Sequence, residues 1–204
     1  TESANEKYFD ASVQMQRKSK NSYFISDTLS QKISETKNSQ GVFAVCKMKN
    51  ENISLKTGQK YIALDNLQDP GNLGTVIRTA EALGISSVIV GGGCDVFNPK
   101  VLRASMGSVL RLDVFECQSL APVLQKAKSL GIKTYATSPD SSAKKINETQ
   151  FPKSSLCVIG NEANGVSDEV MNICDETVTI PMLGRAESLN AHVAGAIVMW
   201  EMLR

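Results

Sequence analysis

From Tyr61 onward, two kinds of hydrophobic pattern alternate along the chain. Short runs rich in β-branched and aromatic residues at 61–64, 87–90, 112–115, 133–137, 156–159 and 177–180 predict strands. The segments 73–83, 99–109, 120–130, 167–173 and 188–203 space their apolar residues as helices do. Strands that alternate with helices predict an α/β fold, a mostly parallel sheet with helices on both faces. In such sheets ligands bind beyond the carboxyl ends of the strands, so the loops there are the first place to look for chemistry.

Upstream the pattern changes. Residues 1–52 are polar, with frequent Ser, Lys, Asn and Gln, and hold one clear apolar run from Gly41 to Cys46, which reads as a buried strand. A polar connector with a turn signal at Thr57-Gly58 follows, and the boundary placed there divides the chain into 1–57 and 58–204. There is no internal repeat and no long low-complexity segment.

Composition narrows the function classes. At 204 residues and 42% hydrophobic, the chain is long and apolar enough for one full domain and a smaller appendage. Its net charge of +1 gives no overall nucleic-acid footprint, so any RNA contact must come from local Lys and Arg such as Arg103, Arg111 and Arg185. No apolar run approaches the roughly 18 residues of a spanning helix, and no secretory pattern opens the chain. Cys46, Cys94, Cys117, Cys157 and Cys174 are odd in number and lack metal-ligand or redox spacing. They read as reduced, mostly buried thiols of a cytoplasmic protein without a metal or a membrane partner.

Three segments carry candidate chemistry. The first runs from a strand end through Pro70-Gly71 into a helix, with Asn72 as a candidate cap and Arg78 placed to reach a phosphate or ribose; a solvated surface Arg is the alternative. The second, Gly160-Asn161-Glu162-Ala163-Asn164-Gly165, opens from a buried strand onto a glycine-bounded loop with one carboxylate, which either accepts hydrogen bonds from a ligand or decorates a turn. In the third a strand stops at Pro181, the chain crosses Gly184, and a helix starts near Ser188 as a candidate N-cap. Val193, Ile197 and Trp200 form an apolar face on it, while Ala191, Ala194, Gly195 and Ala196 keep it slim enough to pack closely on a neighbour. A run of glycines, Gly91-Gly92-Gly93, also follows a strand, but the dinucleotide fingerprint is not completed at Val96.

Together the three segments resemble the motifs of the SpoU/TrmH family of the SPOUT methyltransferases. Asn72, Gly74, Ile77 and Arg78 match the first motif, Gly160, Glu162 and Gly165 the second, and Ile180, Pro181, Met182, Gly184, Ser188, Leu189 and Asn190 the third, all in the family's order. The resemblance covers about 61–204. Residues 30–46 also resemble the end of an L30e-like substrate-binding domain, only part of which is present, as though the chain began inside it.

The resemblance implies an RNA ribose 2'-O-methyltransferase that uses S-adenosylmethionine, with a C-terminal deep trefoil knot, one of few exceptions to the rule against knots. It implies a cofactor pocket from the loops at Thr137-Ser138, 160–165 and 180–190, with Gly160, Ile180 and Leu189 holding the cofactor through their backbone and Thr137, Asn161 and Met182 close by. Catalytic parts fall to Asn72, Arg78, Glu162, Ser188 and Asn190, in an active site shared across a homodimer. A guanidinium has no acceptor and stays charged, so Arg78 is read as a phosphate anchor that also stabilises a developing alkoxide rather than as a base. Ribosomal RNA is the preferred substrate and transfer RNA the alternative; a resistance methyltransferase and an RNA-binding member without catalysis remain open. Members often carry Val-Ser after Ser-Leu-Asn, whereas this chain has Ala191-His192. His192, the sole histidine, is read first as a packing or polar-interface residue, with a catalytic part as the alternative.

Overall fold

A computed structural model describes residues 1–47 and 52–204, and the chain divides into two compact units, Thr1–Asn50 and Glu51–Arg204. In the first unit the described residues form three helices: α1 (Glu2–Lys7), capped by Thr1; α2 (Phe9–Lys18); and α3 (Asp27–Ile33), capped by Ser26. The strand expected from Gly41 to Cys46 is not formed, and Val45 in its middle is fully exposed. An apolar run becomes a strand only where another strand accepts its hydrogen bonds, and none is present among residues 1–47.

The connector belongs physically to the second unit. The Tyr61 hydroxyl receives the Lys56 backbone N–H at 2.7 Å, the Gly58 N–H donates to Ser154 Oγ at 2.7 Å, and Ile53 and Leu55 pack against that unit's core.

The second unit follows the expected alternation. Its elements are β1 (Lys60–Asp65), α4 (Pro70–Leu83), β2 (Ser87–Gly91), α5 (Pro99–Ala104), β3 (Asp113–Cys117), α6 (Ala121–Ser129), β4 (Lys133–Thr137), β5 (Lys144–Lys145), β6 (Ser155–Ile159), α7 (Asp168–Ile173), β7 (Glu176–Thr179) and α8 (Ala191–Leu203). The strands form one sheet in the order β3-β2-β1-β6-β4-β7-β5, with every neighbouring pair parallel. Strand side chains alternate between its faces. Ile62, Leu64, Val88, Val90, Cys157 and Ile159 join a core with residues of α4 and α8, whereas Tyr61, Ala63, Ile89, Leu156 and Val158 join a second core with residues of α6 and α7.

Helix α4 starts one turn before its first apolar residue. Asp69, not Asn72, is its N-cap: Asp69 Oδ1 accepts the Asn72 N–H at 2.7 Å, and Pro70 occupies the first turn, where its missing N–H costs nothing. The helix expected over 99–109 is shorter. It stops at Ala104, and the chain turns through left-handed Met106 (φ 50) and Gly107 (φ 84) into a 3-10 turn, Ser108–Leu110. Arg111 then clamps this turn to α4 through two hydrogen bonds to Glu81, Nε to Oε1 at 3.0 Å and Nη2 to Oε2 at 3.2 Å. The Arg111 side chain nevertheless stays 56% exposed.

Helix α8 starts at Ala191, later than the expected start near Ser188. Ala191, Gly195, Val198, Met199 and Met202 face the core, and Gly195 sits against Val76 and Ile159; Val193 and Trp200 point outward, Trp200 with 62% of its surface exposed. Close packing of the slim face thus serves α4 and β6 of the same chain.

Gly74 sets the approach of α4 to α5. A Cβ there would lie 2.7 Å from the Val101 carbonyl oxygen and 3.0 Å from the Ser105 nitrogen, both backbone atoms that cannot rotate away. Gly74→Ala is therefore expected to destabilise the chain by about 1–3 kcal/mol despite its better helix propensity, measured as a lower urea midpoint at unchanged slope. A neutral or raised midpoint would show that the helices separate freely.

Candidate active site

The site forms where the carboxyl ends of β1, β6, β4 and β7 lie side by side. Adjacent pairing of Leu64 with Ile159 brings the loop after β1 next to the loop after β6. The β6 loop closes on itself: Asn161 and Gly165 exchange backbone hydrogen bonds at 2.9 Å in both directions, and the backbone of Gly165 presses so closely on Gly160 that a side chain at 160 would have no room. Asp65 Oδ2 then anchors the far end of this loop, accepting the Ser167 N–H at 2.8 Å and its hydroxyl at 2.7 Å.

Glu162 projects from this loop to the start of α4. Its Oε1 accepts the Asn72 side-chain amide at 2.8 Å and the Asp69 N–H at 3.4 Å, and its Oε2 accepts the Gln68 N–H at 3.3 Å. Partial burial pushes its carboxyl up, but the hydrogen bond from Asn72 and those from backbone N–H groups outweigh this and hold it below the usual range. Glu162 is therefore an acceptor only, with its charge held in place by α4's first turn.

Asn72, buried to 7% exposure, extends the arrangement: its Oδ1 lies 3.1 Å from His192 Nδ1. Asn190, the neighbour of that helix, is the actual N-cap of α8, accepting the His192 N–H at 2.9 Å; Ser188, expected in this part, lies exposed two residues earlier without a hydrogen bond among the described residues. Asn72, Glu162 and Asn190 are thus brought to one place. Arg78 is not. It lies six residues further along α4, roughly 9 Å by helical rise, exposed and without a hydrogen bond or ion pair among the described residues.

The residues expected around a cofactor line the same edge of the sheet. Gly160 is buried, and Thr137, Asn161, Ile180, Met182 and Leu189 are half-buried. Two side chains have structural duties: Thr137 Oγ1 donates to the Val158 carbonyl at 3.0 Å, and Asn161 Nδ2 donates to the Asn66 carbonyl at 2.7 Å while its Oδ1 accepts the Ala163 and Asn164 N–H groups. Asn161 thereby ties the β6 loop to left-handed Asn66 (φ 56). Residues 181–189 make no hydrogen bonds among the described residues, which leaves the N–H groups of 182–189 and the C=O groups of 181–189 open to a ligand. A run of open backbone donors and acceptors beside a glycine-tight loop fits a group with an adenine ring and an amino-acid tail, such as S-adenosylmethionine. Among the described residues no cluster of three His, Cys, Asp or Glu is disposed to hold a metal, and no helix is long and apolar enough to cross a membrane.

Residues 59–200 match the profile of the SpoU rRNA methylase family. The chain belongs to that family. Among SpoU relatives, it is 36% identical over 181 residues to the Bacillus subtilis 23S rRNA (guanosine(2553)-2'-O)-methyltransferase RlmP, an alignment covering 88% of this chain and 71% of the relative. This alignment is longer than the second unit, so the similarity reaches into the first. Among solved SpoU structures, the fold resembles that of a protein described as an RNA 2'-O ribose methyltransferase (TM-score 0.75, 30% identity, 87% of this chain and 69% of that one). It also resembles AviRb from Streptomyces viridochromogenes in complex with AdoMet (TM-score 0.66, 33% identity, 73% of this chain); the match spans 61% of that chain's length.

The sequence pattern did not draw attention to the N–H groups of Gln68 and Asp69 or to the contact of His192 with Asn72. An Asp-Pro step before the helix signals Asp69 as a cap; no local signal marks the contact between His192 and a residue 120 positions away.

Because the folded carboxyl of Glu162 titrates lower than in the unfolded chain, its ionised form stabilises the fold above the unfolded value, and that contribution is lost as pH falls through the folded one. Glu162→Gln is expected to flatten the acid limb of the stability curve, followed by urea midpoints at decreasing pH. An acid limb identical to that of the unmodified chain would mean that these hydrogen bonds do not favour the charged form.

Proposed function

We propose that this SpoU methylase is the catalytic part of an enzyme that transfers a methyl group from S-adenosylmethionine to a ribose 2'-hydroxyl of RNA, with ribosomal RNA as substrate. The observation that carries the proposal is the direct hydrogen bond of Asn72 to Glu162, motif residues 90 positions apart, at the strand ends where the family profile also runs. The RNA named for the Bacillus relative supports ribosomal RNA as the substrate.

Bound S-adenosylmethionine would supply an electrophilic methyl group on a sulfonium. The chain's own tasks are to place the 2'-oxygen in line with that methyl and to let the hydroxyl proton depart. The open backbone of 181–189, with Gly160, Ile180 and Leu189, would hold the cofactor. Arg78 would hold an RNA phosphate and offset charge developing on the oxygen.

Since Arg78 has no hydrogen bond or ion pair among the described residues and stands away from the Asn72–Glu162 pair, we assign it to the site of a second copy. The outward face of α8, with Val193, Ile197 and Trp200, supports a homodimer that buries it. The C-terminal trefoil knot and the L30e-like origin of the first unit belong to the same proposal.

Two measurements test it. The chain is expected to bind S-adenosylmethionine in a calorimetric titration and to transfer methyl to ribosomal RNA in preference to transfer RNA, with Leu189→Arg losing both; binding unaffected by Leu189→Arg, or preference for transfer RNA, would overturn the pocket or the substrate respectively. Arg78→Ala and Leu189→Arg, each inactive alone, are expected to regain activity when unfolded and refolded together, because one mixed-dimer site keeps both residues intact. Continued inactivity of a verified mixed dimer would place each Arg78 in its own subunit's site.

A further inference from the structure

His192 stands where the family pattern carries another residue, and its ring touches the buried amide that joins α4 to the Glu162 loop. The donor and acceptor assignments of that chain of groups are fixed from one end. Glu162 is ionised and can only accept, so the Asn72 group at 2.8 Å from it is the NH2. Asn72 therefore presents its carbonyl oxygen in the opposite direction, and that oxygen can only accept. The one nitrogen facing it, His192 Nδ1 at 3.1 Å, must then carry a proton. The helix supports this placement: Asn190 caps α8 through the His192 N–H, which seats His192 on the first turn and sends its ring back to α4.

We propose that His192 is a positioning residue of this active site, holding the Asn72 amide from behind through an Nδ1–H hydrogen bond and so fixing the direction in which Asn72 and Glu162 face the substrate. The inference rests on the methyltransferase reading for its consequence but not for its geometry. Buried at 7% exposure, Asn72 has little access to water for replacing a lost donor, and without His192 its amide would be held from the Glu162 side alone. Turning it by half a revolution would aim its carbonyl at the Glu162 carboxylate, two acceptors facing each other. That rotamer is disfavoured at the Glu162 end, and at the other end it would require the ring proton to leave Nδ1.

The same bond determines the tautomer of the ring. A neutral histidine side chain in water favours the proton on Nε2, whereas the contact with Asn72 requires it on Nδ1. Since His192 is the sole histidine, its ring nitrogens give the only imidazole signals of the chain. Long-range nitrogen–proton correlation spectra of the 15N-labelled chain, without RNA or cofactor, are expected to show the Nδ1–H tautomer in the neutral ring, and Asn72→Ala to return it to Nε2–H. An Nε2–H ring in the unmodified chain, or no change in Asn72→Ala, would overturn the proposal.

Turnover provides the second readout. His192→Ala is expected to lower kcat roughly tenfold, the size of one lost buried hydrogen bond, with KM for S-adenosylmethionine changed less than about twofold. His192→Gln, whose amide N–H can reach the same oxygen, should recover most of the loss. Unchanged kcat in His192→Ala, or equal impairment of the two variants, would sink the positioning role. The spectra judge the histidine without any activity, while failure of the unmodified chain to methylate RNA would count against the functional reading alone.

Discussion

A carboxylate drawn partly out of water keeps its charge only where donors replace the water it has lost. Glu162 meets this demand with one side-chain amide and the backbone N–H groups of Gln68 and Asp69. Those donors belong to the loop after β1 and the first turn of α4, so the position of the charge and the path of the chain are set together. The parallel pairing of β1 with β6 makes the arrangement possible, because it places both loops at the same end of adjacent strands. Neither loop would have a reason for its shape without the other.

Much of this was legible in the residues, for identifiable reasons. The buried strands, such as Ser155–Ile159 with its run from Leu156 to Ile159, are largely apolar because both faces of the sheet are covered, and they stand out as short runs between polar loops. The two-residue strand Lys144–Lys145 has no such signature: it lies at the sheet's edge with exposed side chains, and it is held to β7 by backbone pairing and by an ion pair of Lys144 with Glu176. At 41–46 composition favoured a strand, but the partner that a strand requires is absent from the first unit's described residues. Among the site residues, Asn72, Glu162 and Asn190 do converge, while Ser188 and Arg78 stand apart from them for lack of any contact that would draw them in.

The inward face of α8 was not legible for a different reason. Of thirteen residues from Ala191 to Leu203, almost all are apolar, so periodicity offers no polar side from which to orient the helix. Contacts with the rest of the fold decide instead. Gly195 lies against Val76 and Ile159, Val198, Met199 and Met202 are buried with it, and Trp200 is left outside.

The strand order also bears on how the polypeptide is made. β1 pairs with β2 and, on its other edge, with β6, so Ile62 finds one neighbour at Val88 and the other only at Cys157. At a ribosomal pace of about 5–20 residues per second, one edge of this apolar central strand waits on the order of 10 s for its partner. Newly made chains therefore pass through a stage in which half a sheet is assembled with an unpaired edge, the kind of template that invites pairing between chains. Abundance in the cell would then depend on chaperone supply during translation more than on the stability of the finished molecule.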